Sequence, residues 1–198
     1  MDASLVMRDR ESDSWWSIMT SDAISGDLEG AELVVLPAGE KVTWKDWRRR
    51  HPDTLVLSVE GEEHIDNNPY DNYFASKSTF RDLKIDDQRL APKDSIYSFW
   101  WGDEPYAVPH SSFAGGKVLE VEGWGDQRLF LYRGKKASIF ESTQAWIVPE
   151  ALIADVKKPR DLLALVTADG ENGAQRLTGF DTFWYNWVSV NENTRLVQ

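Results

Sequence analysis

Hydrophobic and polar residues alternate with period two in several short runs, and that alternation predicts strands. In the first run, Leu5, Met7 and Asp9 fall on one side and Val6 and Arg8 on the other. "ESDS" supplies turn chemistry and Trp15-Trp16 open a returning strand, which predicts a hairpin. "SGDLEG" reads as a loop and "AELVVLP" as a short strand closed by Pro37. The alternation then breaks. Thr43 suits an N-cap, Trp44 and Trp47 lie one turn apart, and Pro52 stops the chain from continuing, so a short helix is predicted here. "TLVLSV" resumes extended structure.

Residues 60–94 are polar and irregular, and predict a long connection pinned by Ile65, Tyr70, Tyr73 and Phe74. Beyond it the strand signal strengthens through "SIYSFWW", "PYAVP", "KVLEVE", "QRLFLY", "ASIFES" and "AWIVP", with turns at "GWGD" and "RGKK". "DLLALV" fits a strand or a helix. "DTFWYNWVSV" predicts a helix capped by Asp181, and "TRLV" a last strand.

One pattern occurs twice. At a constant offset of 140, Trp44 falls on Trp184, Trp47 on Trp187 and Thr54 on Thr194. Each segment reads as helix, polar turn and strand, with a two-tryptophan face turned inward, and this predicts a degenerate internal repeat. Burying one such ring contributes roughly 2–3 kcal/mol. The expected architecture is α+β and mostly β, with short antiparallel strands, brief tryptophan-bearing helices and two related halves. Residues 1–59 form a partial first unit, 60–94 the irregular connection and 95–198 the second unit, all within one globular body.

Composition narrows the function classes. The 198 residues carry a net charge of −11, so a nucleic-acid backbone is repelled; Arg48-Arg49-Arg50 is too short a run to reverse this. The chain has no cysteine, which removes disulfides, thiolate metal sites and cysteine nucleophiles. No stretch approaches the ~18 apolar residues of a membrane span. The N-terminus lacks a basic region followed by an apolar core, so no signal peptide is expected.

The chemical candidates are sparse. Asp9, Glu11 and Asp13 alternate as calcium-loop ligands do, but Ser14 stands where the sharp turn needs glycine and Thr20 where a bidentate glutamate belongs. An EF-hand is excluded. A looser oxygen site and a solvated hairpin tip with Arg8 or Arg10 pairing to carboxylates both stay open, and no metal is expected. None of the three histidines stands at metal-pair spacing from another. His51 sits at a helix end, where a cation suits the dipole. His64 lies two residues from Asp66 in a loop, either as an acid–base pair or simply exposed. His110 follows Pro109 and reads as a cap for residues 111–114. There is no Gly-x-Ser-x-Gly elbow and no P-loop, and "GWGDQR" has Arg128 where a dinucleotide loop needs its third glycine. Carboxylates are abundant enough for a glycosidase-like pair, but nothing in one dimension selects one.

Of the ten tryptophans, most are expected to build the core. Trp15-Trp16 and Trp100-Trp101 each split across two faces of a strand, and Trp124, in a glycine turn, is the exposed candidate.

Residues 5–58 also resemble a bacterial and archaeal family, domain of unknown function 3179. Its aspartate-arginine-glutamate run before paired tryptophans matches Asp9, Arg10, Glu11, Trp15 and Trp16. Its alanine-isoleucine-glycine loop matches Ala23, Ile24 and Gly26. Its tryptophan helix ending in histidine-proline-aspartate-threonine matches Trp44, Trp47, His51, Pro52, Asp53 and Thr54. "NPYDNYF" and "FWYNW" are similar too, and elsewhere the similarity is patchy. The chain departs from the family pattern in lacking the usual upstream cysteine-proline stretch. It also has Asn191, Glu192 and Asn193 where a second histidine-proline-aspartate run would stand. It reads as a shortened member or as a piece of a longer protein. The resemblance implies an extracytoplasmic setting and assigns no activity.

Two functions follow as expectations. The first is a non-catalytic binding or structural module for a protein or glycan surface, using Trp15, Trp124 and His64. The second is a hydrolase with an acidic and histidine site around Asp9, Arg10, Glu11 and His51. Neither calls for a cofactor.

Overall fold

The computed structural model describes residues 5–34, 39–58, 69–114, 118–135, 137–153, 159–167 and 173–197. The fold is mostly β, with three small sheets and a few short helices. β1 (Val6–Arg8), β2 (Trp15–Ser17) and β3 (Ala23–Ser25) form an antiparallel N-terminal sheet, with Met7 opposite Trp16. α1 spans Trp44–Arg50 and α2 Asp71–Ala75. β4 (Ser95–Trp101) and β5 (Glu104–Pro109) make a hairpin, as do β6 (Val118–Trp124) and β7 (Gln127–Tyr132). β8 (Gln144–Pro149) is followed by α3 (Glu150–Ile153), α4 (Pro159–Thr167) and β9 (Gln175–Arg176). β10 (Phe180–Phe183), α5 (Trp184–Val188) and β11 (Arg195–Leu196) complete the order.

The core is layered. One four-stranded sheet runs β10-β4-β5-β11 and the other β6-β7-β8-β9. Tyr97, Phe99, Tyr106 and Val108 of the first face Leu129, Leu131 and Ile147 of the second. On the outer face of the first sheet, Ile96 and Ala107 meet Trp184, Trp187 and Val188 of α5, with Met19 from the N-terminal sheet region. On the outer face of the second, Phe130, Trp146 and Val148 meet Leu162 and Val166 of α4. The order is therefore helix, sheet, sheet, helix. It explains why the apolar residues of "SIYSFWW" do not alternate, since both faces of β4 are covered. Trp100 packs to the α5 side and Trp101 to the inter-sheet side, so the pair serves two cores and neither ring is free in solvent.

Several local expectations change. β11 pairs parallel with β5, which departs from a wholly antiparallel scheme. "ASIFES" forms turns instead of a strand, because the Arg133 guanidinium donates to the carbonyls of Ser138 (2.6 Å) and Glu141 (2.8 Å) and curls the chain round itself. Residues 31–34 form only the isolated bridge Asp22–Glu32. "DLLALV" is helical, within α4. Asp181 is not a helix cap. It lies in β10 opposite Tyr97, and α5 begins after Phe183. His110 opens a 3-10 turn, His110–Phe113, whose cap is Pro109.

α1 forms as its sequence predicts. The Thr43 hydroxyl accepts from the Asp46 amide (3.2 Å) and donates to the Asp46 carboxylate (2.8 Å), while Arg48, Arg49 and Arg50 occupy the last turn, where the dipole favours cations. Trp47 stacks on His51 and donates from Nε1 to the Thr54 hydroxyl at 2.9 Å. The turn after α1 matches the turn after α5. His51 donates to the Trp47 carbonyl at 2.8 Å and Thr54 to that of His51 at 3.2 Å; Asn191 donates to the Trp187 carbonyl at 3.1 Å and Thr194 to that of Asn191 at 3.2 Å. Their surroundings differ. Trp184 and Trp187 are fully buried, whereas Trp44 is 49% exposed and α1 buries no residue. After α5 the chain joins the sheet as β11. After α1, residues 54–58 join no strand, and Leu55, Val56 and Leu57 stand exposed.

Candidate functional site

The hairpin carboxylates organise their own turn. Asp9 accepts from the Ser12 amide (2.6 Å), the Ser12 hydroxyl (2.7 Å) and Trp16 Nε1 (2.7 Å). The Trp16 bond, followed by those from Ser12, holds its carboxyl down at about 2. Arg8 pairs with Asp13. Gly26 (φ +99°) packs so tightly on this turn that a Cβ would come within 2.5 Å of Ser14 Cα. Arg10 and Glu11 are exposed. Among the described residues no histidine is hydrogen-bonded to Asp9 or Glu11. His51 stays with Trp47, and Trp15 is exposed under the Arg8 guanidinium. His64 and the Trp124 side chain lie outside the described residues.

The Asp9 shift sets a pH expectation. A depressed carboxyl contributes stability that is complete above its unfolded value of 3.8 and is lost as pH falls through about 2. Asp9→Asn should therefore flatten the loss of stability in that window when acid unfolding is followed by circular dichroism. An unchanged acid profile would show that the turn does not depend on the charge.

The structure brings together a different set of residues. Asp181, with its side chain 2% exposed, projects from β10. Its Oδ1 accepts from His110 Nε2 (2.8 Å), Thr143 Oγ1 (2.6 Å) and Arg133 Nη1 (3.2 Å), and its Oδ2 from the Thr143 amide (2.8 Å). Burial alone would raise this carboxyl. The bonds from His110 and Thr143 outweigh it, so Asp181 is held below the ordinary carboxylate value. Burial also pulls the Arg133 guanidinium down, against the opposing pull of Asp181. Arg133 follows β7, Thr143 precedes β8 and His110 follows β5, so this one carboxylate ties the two four-stranded sheets together.

Beside it opens a cleft of about 230 Å³. Its aromatic wall is Tyr73 and Phe74 of α2, Phe140 of the turn and Phe183 of β10; Phe74 meets Phe140 edge-on at 5.1 Å. Tyr73 and Tyr185 share a hydroxyl–hydroxyl bond of 2.5 Å, and Lys93 lies over the Tyr73 ring at 3.9 Å. His110, Lys41 and Asn186 supply polar groups. Asn186 Nδ2 donates to Thr182 Oγ1 at 3.2 Å, and its Oδ1 is buried with no partner among the described residues. Leaving such an acceptor unpaired costs about 1–3 kcal/mol.

The family comparison agrees with the tryptophan and histidine-proline motifs. The family described as "Protein of unknown function (DUF3179)" matches residues 1–194. The chain belongs to this DUF3179 family. No curated protein and no solved structure matches it. In this DUF3179 chain the motif residues Asp9, Trp16, Trp47, His51 and Thr54 bond within their own turns. Among the cleft residues, Tyr73 and Phe74 are the anchors that the sequence predicts, and His110 and Asp181 the predicted caps. Asp181 carried one usable signal, a lone charge in the aromatic run "FDTFW". No helix among the described residues is long and apolar enough to cross a membrane.

Proposed function

We propose that this DUF3179 chain is a non-catalytic binding module that docks on a protein through the face formed by α1 and residues 54–58. The observation that carries this reading is the exposure of Leu55 (94%), Val56 (63%) and Leu57 (87%), together with that of half-exposed Trp44. Contiguous exposed apolar surface of this kind marks interaction sites. The matched turns after α1 and α5 indicate what the face fits. The C-terminal block lays its two indoles on the β4–β5 hairpin and adds β11 in parallel to β5. The N-terminal block has the same turn, and residues 54–57 after it belong to no strand. Its partner is then an edge β-hairpin with one apolar face, joined by strand addition. On this reading the two halves, 1–59 and 95–198, differ in that only the second lays its tryptophan helix on a hairpin of its own, β4–β5.

A photo-crosslinking side chain at position 56, introduced in the native host, should link to an edge strand of another protein, with the linked peptide read by mass spectrometry. Val56→Asp should abolish the association. Equal labelling from an exposed control position away from this face, such as Lys77, would sink the reading.

One observation favours the hydrolase reading. His110 is held by a buried carboxylate at the edge of a cleft, as a general base would be. That carboxylate is also bonded to Arg133 and Thr143, which suits a structural tie equally well.

A further inference from the structure

We propose that the cleft between α2, β10 and α5 binds a neutral hydroxylated ring, such as the terminal sugar of a glycan. This site is separate from the docking face of α1. Three features select the ligand class. Phe74, Phe140 and Phe183 offer apolar ring surface for the C–H face of a sugar. Asn186, on the cleft wall, holds a buried Oδ1 that lacks a donor among the described residues, while its Nδ2 is engaged by Thr182. A turn of the Asn186 amide toward the cleft lets a ligand hydroxyl supply that donor. Lys41, also lining the cleft, can donate to a second hydroxyl.

Other classes fit less well. A purely apolar ligand leaves Asn186 Oδ1 buried and unpaired. A cation finds no open counter-charge, because Asp181 already accepts from His110, Thr143 and Arg133. An anion approaches a chain of net charge −11. The volume, about 230 Å³, lies below that of drug-sized pockets and suits a single ring.

The test is titration of the whole chain with glucose, galactose, mannose and N-acetylglucosamine, followed by 1H–15N NMR. At least one sugar should give saturable shifts in the millimolar range, centred on the Asn186 side-chain amide and the amides of Phe140 and Thr182. Phe140→Ala removes a half-exposed ring and leaves the core intact, and it should weaken binding about tenfold. Asn186→Leu should weaken it at least as much. Absence of shifts with all four sugars overturns the proposal, as does a shift pattern lying elsewhere. Benzyl alcohol binding the wild type and Asn186→Leu equally, with no sugar bound, identifies an apolar pocket and overturns it too.

Discussion

Trp187→Ala should destabilise the fold by about 3–5 kcal/mol, whereas Trp44→Ala, at the matching place in the other helix, should change stability by less than about 1 kcal/mol. The difference comes from what each ring touches. Trp187 is fully buried against Ile96, Ala107 and the edge of the Trp100 ring, and its removal leaves a cavity between α5 and the sheet. Trp44 is half in solvent and has no such bed. Trp187→Phe gives a control. The Trp187 indole nitrogen is buried without a partner among the described residues, so phenylalanine loses ring volume but no hydrogen bond. It should cost clearly less than alanine. Urea unfolding followed by circular dichroism measures all three. Equal losses for Trp44→Ala and Trp187→Ala would mean that the N-terminal helix is packed as deeply as the C-terminal one.

Asp181→Ala should cost a similar amount, about 3–5 kcal/mol, because it leaves the Arg133 guanidinium buried without its counter-charge. Arg133 has a side chain only 5% exposed; among the described residues it keeps the hydroxyl of Thr143, the carbonyls of Ser138 and Glu141, and the weaker pull of the Glu141 charge. His110 loses its partner at the same time. Replacing both charges, as Asp181→Leu with Arg133→Met, should recover a large part of the loss, since the remaining desolvation penalty disappears with the second charge. A double mutant whose loss equals the sum of the single losses would show that the two groups act independently. The sign with pH follows from the lowered Asp181 carboxyl. Its contribution is complete above the ordinary unfolded carboxylate value and is lost as pH falls through the folded one.

Much of the strand pattern was readable in one dimension. The runs that became β4, β5, β7 and β8 are dense in apolar residues and bounded by turn chemistry, and Thr43 announced α1 through a local cap. The errors lie where a distant partner decided the outcome. "ASIFES" has strand composition, yet a guanidinium five to eight residues earlier holds its carbonyls in a turn. Asp181 stands just before a helix and so resembled a cap. Its donors come from 38, 48 and 71 residues away, and no local pattern encodes them. The same holds for the cleft. Tyr73 and Phe74 were legible as anchors in a polar connection, but the surface they anchor to is made by Phe183 and Phe140. The paired turns after α1 and α5 were legible because they are local. The unequal burial of their tryptophans was not, because it depends on which hairpin lies beneath.

The strand order β10-β4-β5-β11 constrains how the chain assembles during synthesis. The central hairpin leaves the ribosome well before the two strands that flank it, with Phe180 pairing to Ser98 and Leu196 to Ala107. Until those segments emerge, the apolar flanks of the hairpin have no permanent cover. Long-range pairing of this kind is slow and leaves sticky edges open in the meantime. The nascent hairpin therefore has to be shielded by a chaperone or held in a loose state until β10 and β11 have been made.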